Sequence, residues 1–298
     1  MEKIKVAVIG AGGKMGTRTS NNLVTKFPDK FDGKLVETFP PAVERIEKER
    51  GLKVTPVDEA LAFADVVIFA VPDTLIKKLS AEYVPMLKPG TVFLILDPAA
   101  AVAKELTLRD DCTFGVAHPC HPSYFKWQKE EEAYQDRFGG EGGHQDIVMS
   151  CIQGDEEKFK LAQETARCMY RADKAFVMTS EQIAFLEPTL VETLGATCCY
   201  AMAETVNEAV KRGIDREAAV SFLTGHVFNL TANFLGYLPG NPPVSDACKV
   251  ALEIGNHLVL RDNWKKIWDD ELLRKVIATM LHPETSQENL GFDVKPQK

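Results

Sequence analysis

Two histidines, each followed by proline, stand three residues apart in the run Ala117-His118-Pro119-Cys120-His121-Pro122. Proline fixes φ, so a loop of this kind holds its imidazoles in set directions. The spacing suits two ligands on one metal ion, or one ligand beside one acid–base group. It suits equally a rigid turn whose histidines simply bond backbone. Glu187 offers these histidines a partner. At 3.6 residues per turn Ile183, Glu187, Leu190, Val191 and Leu194 share one helix face, which sets a carboxylate inside an apolar stripe. Such a group is rarely buried without a cation or a donor, because its desolvation costs several kcal/mol. Glu192 lies roughly 140° round the same helix, between Phe185, Ala196 and Cys199, and is a second shielded candidate. His226 and Asn229, three apart on a mostly apolar helix, could face a polar substrate; a backbone-bonded core histidine fits as well. Two carboxylates and two histidines suggest a divalent metal (zinc, magnesium or manganese) chelated by a hydroxy acid, with plain salt bridges as the alternative.

A nucleotide site is legible upstream. Gly10-Ala11-Gly12-Gly13-Lys14-Met15-Gly16 follows the apolar run Lys5–Ile9 directly. Glycines there permit positive φ and close backbone approach, and the helix that follows points unpaired N–H groups at a pyrophosphate. Gly16 falls one residue later than a strict G-x-G-x-x-G requires. Glu37, 21 positions beyond Gly16, ends the second strand, where a carboxylate accepts hydrogen bonds from ribose hydroxyls and repels a 2′-phosphate. NAD is therefore expected over NADP. Val71, Pro72 and Asp73 end a later strand and should border the same cofactor, since ligands sit beyond the carboxyl ends of parallel strands.

These residues need a scaffold. Apolar strands at Lys34–Glu37, Ala64–Val71, Thr91–Leu96, Thr113–Ala117 and Asp146–Cys151 alternate with helical stretches at Pro41–Arg50 and Leu75–Leu87. Continuous apolar strands separated by helices mean a parallel sheet covered on both faces. The second half is helical: a long helix over about 180–212 bent at Pro188, then Asp215–Phe234 and Ser245–Met280, with a loosely ordered tail from Pro283. The expected fold is α/β, a doubly wound, mainly parallel Rossmann domain over 1–153, followed by an all-α C-terminal domain over 154–298.

Composition narrows the partners. The chain has 298 residues, 45% of them apolar, enough for two domains with sizeable cores. A formal charge of −8 argues against nucleic acid or an acidic membrane surface. No apolar run approaches the roughly 18 residues of a membrane span, and no signal peptide precedes the first strand. Seven irregularly spaced cysteines without a Cys-x-x-Cys pair indicate neither a disulfide framework nor a thiolate zinc site. A cytoplasmic enzyme on a small molecule is the expectation.

The glycine turn, Ala70-Val71-Pro72-Asp73-Thr74, the His-Pro-Cys-His-Pro loop, Leu186-Glu187-Pro188 and Ser245-Asp246-Ala247-Cys248 together resemble the D-apionate oxidoisomerase family, part of the broader 6-phosphogluconate dehydrogenase-like group. The resemblance runs to about Ile277. It implies a helical C-terminal domain used for homodimerisation, and a reaction that oxidises D-apionate with NAD and rearranges it to 3-oxo-isoapionate by an acyloin-type shift, like ketol-acid reductoisomerase in reverse. It also implies His118 and Glu187 as metal ligands, with His121 or Glu192 completing the site or acting as base. Ser123–Trp127 and the charged stretch Lys129–Asp136 depart from the family pattern, so substrate contacts there can differ. A plain NAD-dependent hydroxyacid or sugar-acid dehydrogenase is the alternative. Such enzymes usually carry a catalytic lysine on the long helix, and Ser180–Val210 contains none. An NAD-sensing regulator on a dead dehydrogenase fold is a further alternative, for which inward carboxylates and paired histidines would serve no purpose.

Overall fold

A computed structural model describes residues 2–240 and 242–294. They form two compact units, one holding residues up to 184 together with those from 274 onward, the other holding 185–273.

The first unit is built on one seven-stranded sheet in the order β2-β1-β3-β4-β5-β6-β7. Its strands are β1 (Ile4–Ile9), β2 (Phe31–Val36), β3 (Val66–Phe69), β4 (Val92–Ile95), β5 (Thr113–Pro119), β6 (Gln145–Gln153) and β7 (Ala172–Val177). Val66–Phe69 and Val92–Ile95 are buried along their whole length, as strands covered on both faces must be. The first five strands are parallel, β6 runs antiparallel to β5, and β7 is parallel to β6. The mainly parallel, doubly wound sheet expected from the sequence is therefore present. Since β2 and β3 flank β1 on opposite sides, the chain reverses its winding beside β1, and the crevice at that switch point opens at the carboxyl ends of the strands.

The first-unit helices are α1 (Lys14–Ser20, continued as a π-helix to Lys26), α2 (Pro40–Glu44), α3 (Val57–Phe63), α4 (Asp73–Tyr83), α5 (Ala99–Val102), α6 (Glu131–Gln135), α7 (Glu156–Tyr170) and α8 (Ser180–Ala184). Helix α7 and strand β7 extend this unit past the expected boundary at 153. The cause is local. Asp155 caps α7 by accepting the Lys158 N–H, Arg171 ends it in the left-handed region at φ 52°, and β7 then pairs with β6. Phe159, Ala162, Ala166 and Met169 of α7 join the core with Val8, Leu94 and Ala117.

The second unit contains a π-helical stretch Phe185–Ala196, then α9 (Thr197–Lys211), α10 (Arg216–Phe234) and α11 (Asp246–Val259). Residues 180–211 are helical throughout, and around Pro188 the helix widens rather than simply bending. Thr193 donates to the Pro188 carbonyl five residues earlier at 2.5 Å. Helix α12 (Asp270–Leu281) buries Ile277 and Leu281. The tail is more ordered than expected. A short turn at Pro283–Thr285 leads into α13 (Ser286–Leu290), where Asn289 donates to Thr279 and Thr285 at 3.2 and 2.8 Å. Residues 295–298 of that expected tail lie outside the described ones. No helix among the described residues is long and apolar enough to cross a membrane.

Candidate active site

Strand β1 ends in the glycine turn, and two of its glycines are required by contact. Gly10 adopts φ +78°, and a Cβ on it would stand 2.5 Å from the Ala70 carbonyl oxygen and 3.3 Å from Val71 Cγ1. The turn thus packs on the end of β3, where Val71, Pro72 and Asp73 lead into α4 with Pro72 at the N-cap. A Cβ on Gly16 would collide with the Gly10 carbonyl oxygen and lie 2.8 Å from Ala11 Cα. The turn itself is pinned to β2, because the Gly10 and Ala11 N–H groups donate to Val36 O at 2.9 and 3.1 Å. Gly13 is the N-cap of α1, and Lys14 and Met15 open the helix. This is the bare backbone cradle a dinucleotide requires.

Glu37 reaches into the same turn. Its Oε2 accepts the Gly12 N–H at 3.0 Å, and its Oε1 accepts those of Thr38 and Phe39 at 2.8 and 3.0 Å. The carboxylate is oriented by three donors at the end of β2, the position from which a ribose diol is bound. Replacing it with alanine is expected to raise the NAD dissociation constant about tenfold, the loss of one or two charge-assisted hydrogen bonds, while NADP binding holds or improves. Titration calorimetry with both cofactors checks this; unchanged NAD affinity removes Glu37 from the site.

The histidine loop leaves the end of β5 at the same sheet edge. His118 donates its Nδ1–H to the Leu96 carbonyl at 2.7 Å, so in the neutral ring Nε2 carries the lone pair. His121 sits in the left-handed region at φ 59° and donates its Nδ1–H to the Phe138 carbonyl, also at 2.7 Å. Two backbone carbonyls therefore set both tautomers, the arrangement that orients a ligating or basic imidazole. Beneath the loop Tyr170 donates its buried hydroxyl to Ala117 O at 2.9 Å; burial, reinforced by the charge of Asp97, pushes the phenol pKa upward and keeps that donor protonated. Lys126 bridges Asp146 and Asp173 at 2.9 and 2.8 Å, which assigns it to tying β6 to β7. Tyr170, Phe138 and Asp136 had no sequence signal beyond their types.

Glu187, Glu192 and His226 belong to the second unit. Glu187 is half-buried on the π stretch, whereas Glu192 is exposed, as are Leu190 and Val191 at 41% and 51%. The inward stripe expected around Glu187 is thus not formed within one chain. His226 is exposed, stacks on Phe222 with centroids 4.0 Å apart, and donates Nδ1–H to the Phe222 carbonyl at 2.8 Å. It lines a shallow recess with Ser221, Gly225 and Asn229. Among the described residues no group of three or more His, Cys, Asp or Glu side chains converges to hold a metal. His118 fits a ligand's role by its tautomer; a complete protein cage is not present in the described chain.

A doubly wound sheet with this turn at its switch point defines a dinucleotide-binding Rossmann protein. Residues 126–281 match the family model of the phosphogluconate dehydrogenase (decarboxylating) C-terminal domain, and residues 1–97 that of the acetohydroxy acid isomeroreductase NADPH-binding domain. The D-apionate oxidoisomerase of Blautia hydrogenotrophica is 72% identical over 96% of this chain and all of its own length. That of Cupriavidus necator is 41% identical over 92% of this chain and 98% of its own. A solved structure described as a semialdehyde dehydrogenase NAD-binding protein from Cupriavidus necator in complex with calcium and NAD superposes with a TM-score of 0.88 at 40% identity, covering 94% of this chain and 100% of that one. The chain belongs to the D-apionate oxidoisomerase family and is an NAD-dependent oxidoreductase with isomerase activity.

Proposed function

We propose that the substrate is the branched sugar acid D-apionate and the product 3-oxo-isoapionate, with the chemistry held at the carboxyl edge of β1, β3, β4 and β5. The observation that carries this reading is the pair of carbonyl-oriented imidazoles, His118 and His121, on the strand edge that also bears the NAD turn. In the first step hydride leaves C2 for the nicotinamide and the C2 hydroxyl loses its proton, giving a 2-oxo acid. In the second the tertiary C3 hydroxyl loses its proton, the bond from C3 to one hydroxymethyl carbon breaks as that carbon bonds to C2, and C3 becomes the ketone. The new C2 alkoxide then takes a proton. Nε2 of His121 is the proposed base for the C3 hydroxyl, with Glu192 and His226 as the further acid–base candidates.

A divalent cation held by His118 and Glu187 is part of the proposal, supported by the His118 tautomer and by the relative solved with calcium. Held there, it would supply positive charge to stabilise the oxyanions that form in both steps. His118→Ala and Glu187→Ala are each expected to purify with at least tenfold less of zinc, magnesium, manganese or calcium than the unsubstituted protein, since losing even an outer-shell partner of a ligand costs about 10–100-fold in metal affinity. Full occupancy in both, by elemental analysis, removes His118 and Glu187 as the ligands. The chain is also proposed to work as a homodimer through its second unit, where the large apolar side chains of Phe222, Leu258 and Val259 stand 70%, 80% and 76% exposed. A monomeric mass by sedimentation equilibrium at micromolar concentration would overturn that. Carbon NMR of the product from enzyme, NAD and D-apionate tests the reaction itself. Rearranged 3-oxo-isoapionate is expected, and an unrearranged 2-oxo acid would instead establish a plain dehydrogenase.

A further inference from the structure

We propose that Phe138 is a positioning residue that couples dinucleotide occupancy of the glycine turn to the orientation of His121. Phe138 lies in the loop between α6 and β6, and it faces both parts of the site. Its carbonyl holds the His121 Nδ1–H at 2.7 Å, and its ring centroid is 4.6 Å from the imidazole at an interplanar angle of 52°. Onto the same ring come two cations from the dinucleotide helix: Lys14 Nζ at 3.8 Å from the centroid and the Arg18 guanidinium at 4.3 Å. Lys14 is the first residue of α1, next to the glycine N-cap, and Arg18 is one turn on, so both side chains leave the same helix face.

The surroundings leave this ring little freedom to be an incidental contact. The Asp136 carboxylate fixes the backbone on both sides of it by accepting the N–H groups of Gly139, Glu141, Gly142 and Gly143. Pro122, the residue after His121, packs so closely on the loop that a Cβ on Gly139 would stand 2.7 Å from its Cδ. Arg18 also gives something up to be there. Its Nε is buried with no hydrogen-bond partner among the described residues, an arrangement that stability alone disfavours.

The inference rests on the reading that the glycine turn seats the NAD pyrophosphate. Two negative charges arriving at the start of α1 draw Lys14 toward them and redistribute the cation–π attraction at Phe138. Because the same residue's carbonyl holds the His121 ring, a shift of Phe138 is passed on to the imidazole.

The probe is ADP-ribose, which carries the pyrophosphate without a nicotinamide to disturb nearby resonances. In the unsubstituted protein, saturating ADP-ribose is expected to move the His121 Cε1–H resonance, assigned with His121→Gln. In Phe138→Leu, ADP-ribose should bind with a dissociation constant within about threefold of the original, while the His121 resonance no longer responds. Turnover with NAD should fall about tenfold with the KM for NAD little changed, and Phe138→Tyr should restore both. A His121 response in Phe138→Leu equal to the original overturns the coupling. Failure of the unsubstituted protein to bind ADP-ribose overturns the cofactor reading instead. Should Phe138→Leu not fold, Lys14→Met gives the decisive comparison: at saturation its His121 resonance should stay still, and a full response would refute the role of the ring.

Discussion

Gly16→Ala is expected to weaken NAD binding about a hundredfold, close to 3 kcal/mol, and to abolish turnover at ordinary cofactor concentration. The reason is steric and lies in the backbone. An added Cβ would be driven into the Gly10 carbonyl and would stand 2.8 Å from both Ala11 Cα and Gly10 C, atoms that cannot swing away as a side-chain tip can. Either α1 moves outward or the turn opens, and each displaces the N–H groups that meet the pyrophosphate. Gly13 provides the contrast. It is exposed at the N-cap, and a Cβ there would meet Gly10 O at 3.4 Å, an ordinary contact, so Gly13→Ala should cost the fold little. Calorimetry with NAD, alongside thermal unfolding of each variant without cofactor, separates lost binding from lost folding. A Gly16→Ala protein that melts normally and binds NAD within fivefold of the original would show that the pyrophosphate sits elsewhere.

The cofactor half of the site was legible because each of its parts marks a strand end. Gly10 follows Ile9, Glu37 follows Val36, and Val71 comes two residues after Phe69, so the rule that ligands gather at the carboxyl edge of parallel strands brings them together from spacing alone. The histidine loop was placed by the same logic at the end of β5. What the sequence hid has identifiable causes. Strand β7 exposes Asp173 and Lys174 at the edge of the sheet, and its pattern lacks the unbroken apolar run that marked β3 and β4. The stripe through Glu187, Leu190 and Leu194 was drawn at 3.6 residues per turn, but 185–196 is π-helical, with a wider turn, so positions three and seven apart no longer share a face. The charged stretch ending at Asp136 stood out only as a departure from the family pattern. Its meaning depends on contacts of Phe138 with Lys14 and Arg18, more than a hundred residues earlier in the chain, and no local period reports such contacts.

That stretch carries the second large effect. Asp136→Ala should destabilise the first unit by about 2–4 kcal/mol, the cost of removing a carboxylate that satisfies several backbone donors at once. Oδ1 accepts Gly139 N–H at 2.9 Å, and Oδ2 accepts those of Glu141, Gly142 and Gly143 at 2.8, 2.9 and 3.0 Å. Gly139 and Gly143 are buried, so water cannot readily replace the lost acceptor there. Burial on its own would raise the Asp136 pKa, yet the four donors outweigh it and hold the carboxyl below its usual range. The sign of the pH dependence follows. A carboxyl depressed in the folded state contributes fully above its unfolded value, near pH 4, and that contribution disappears as pH falls through the folded value. Asp136→Ala should therefore unfold more easily at neutral pH and also lose part of the acid-side decline. Asp136→Asn keeps one acceptor oxygen but turns an amide toward N–H donors, and should fall between. Urea unfolding from pH 7 down to pH 3 reads both effects. If Asp136→Ala matches the original protein at pH 7, the carboxylate does not hold the loop.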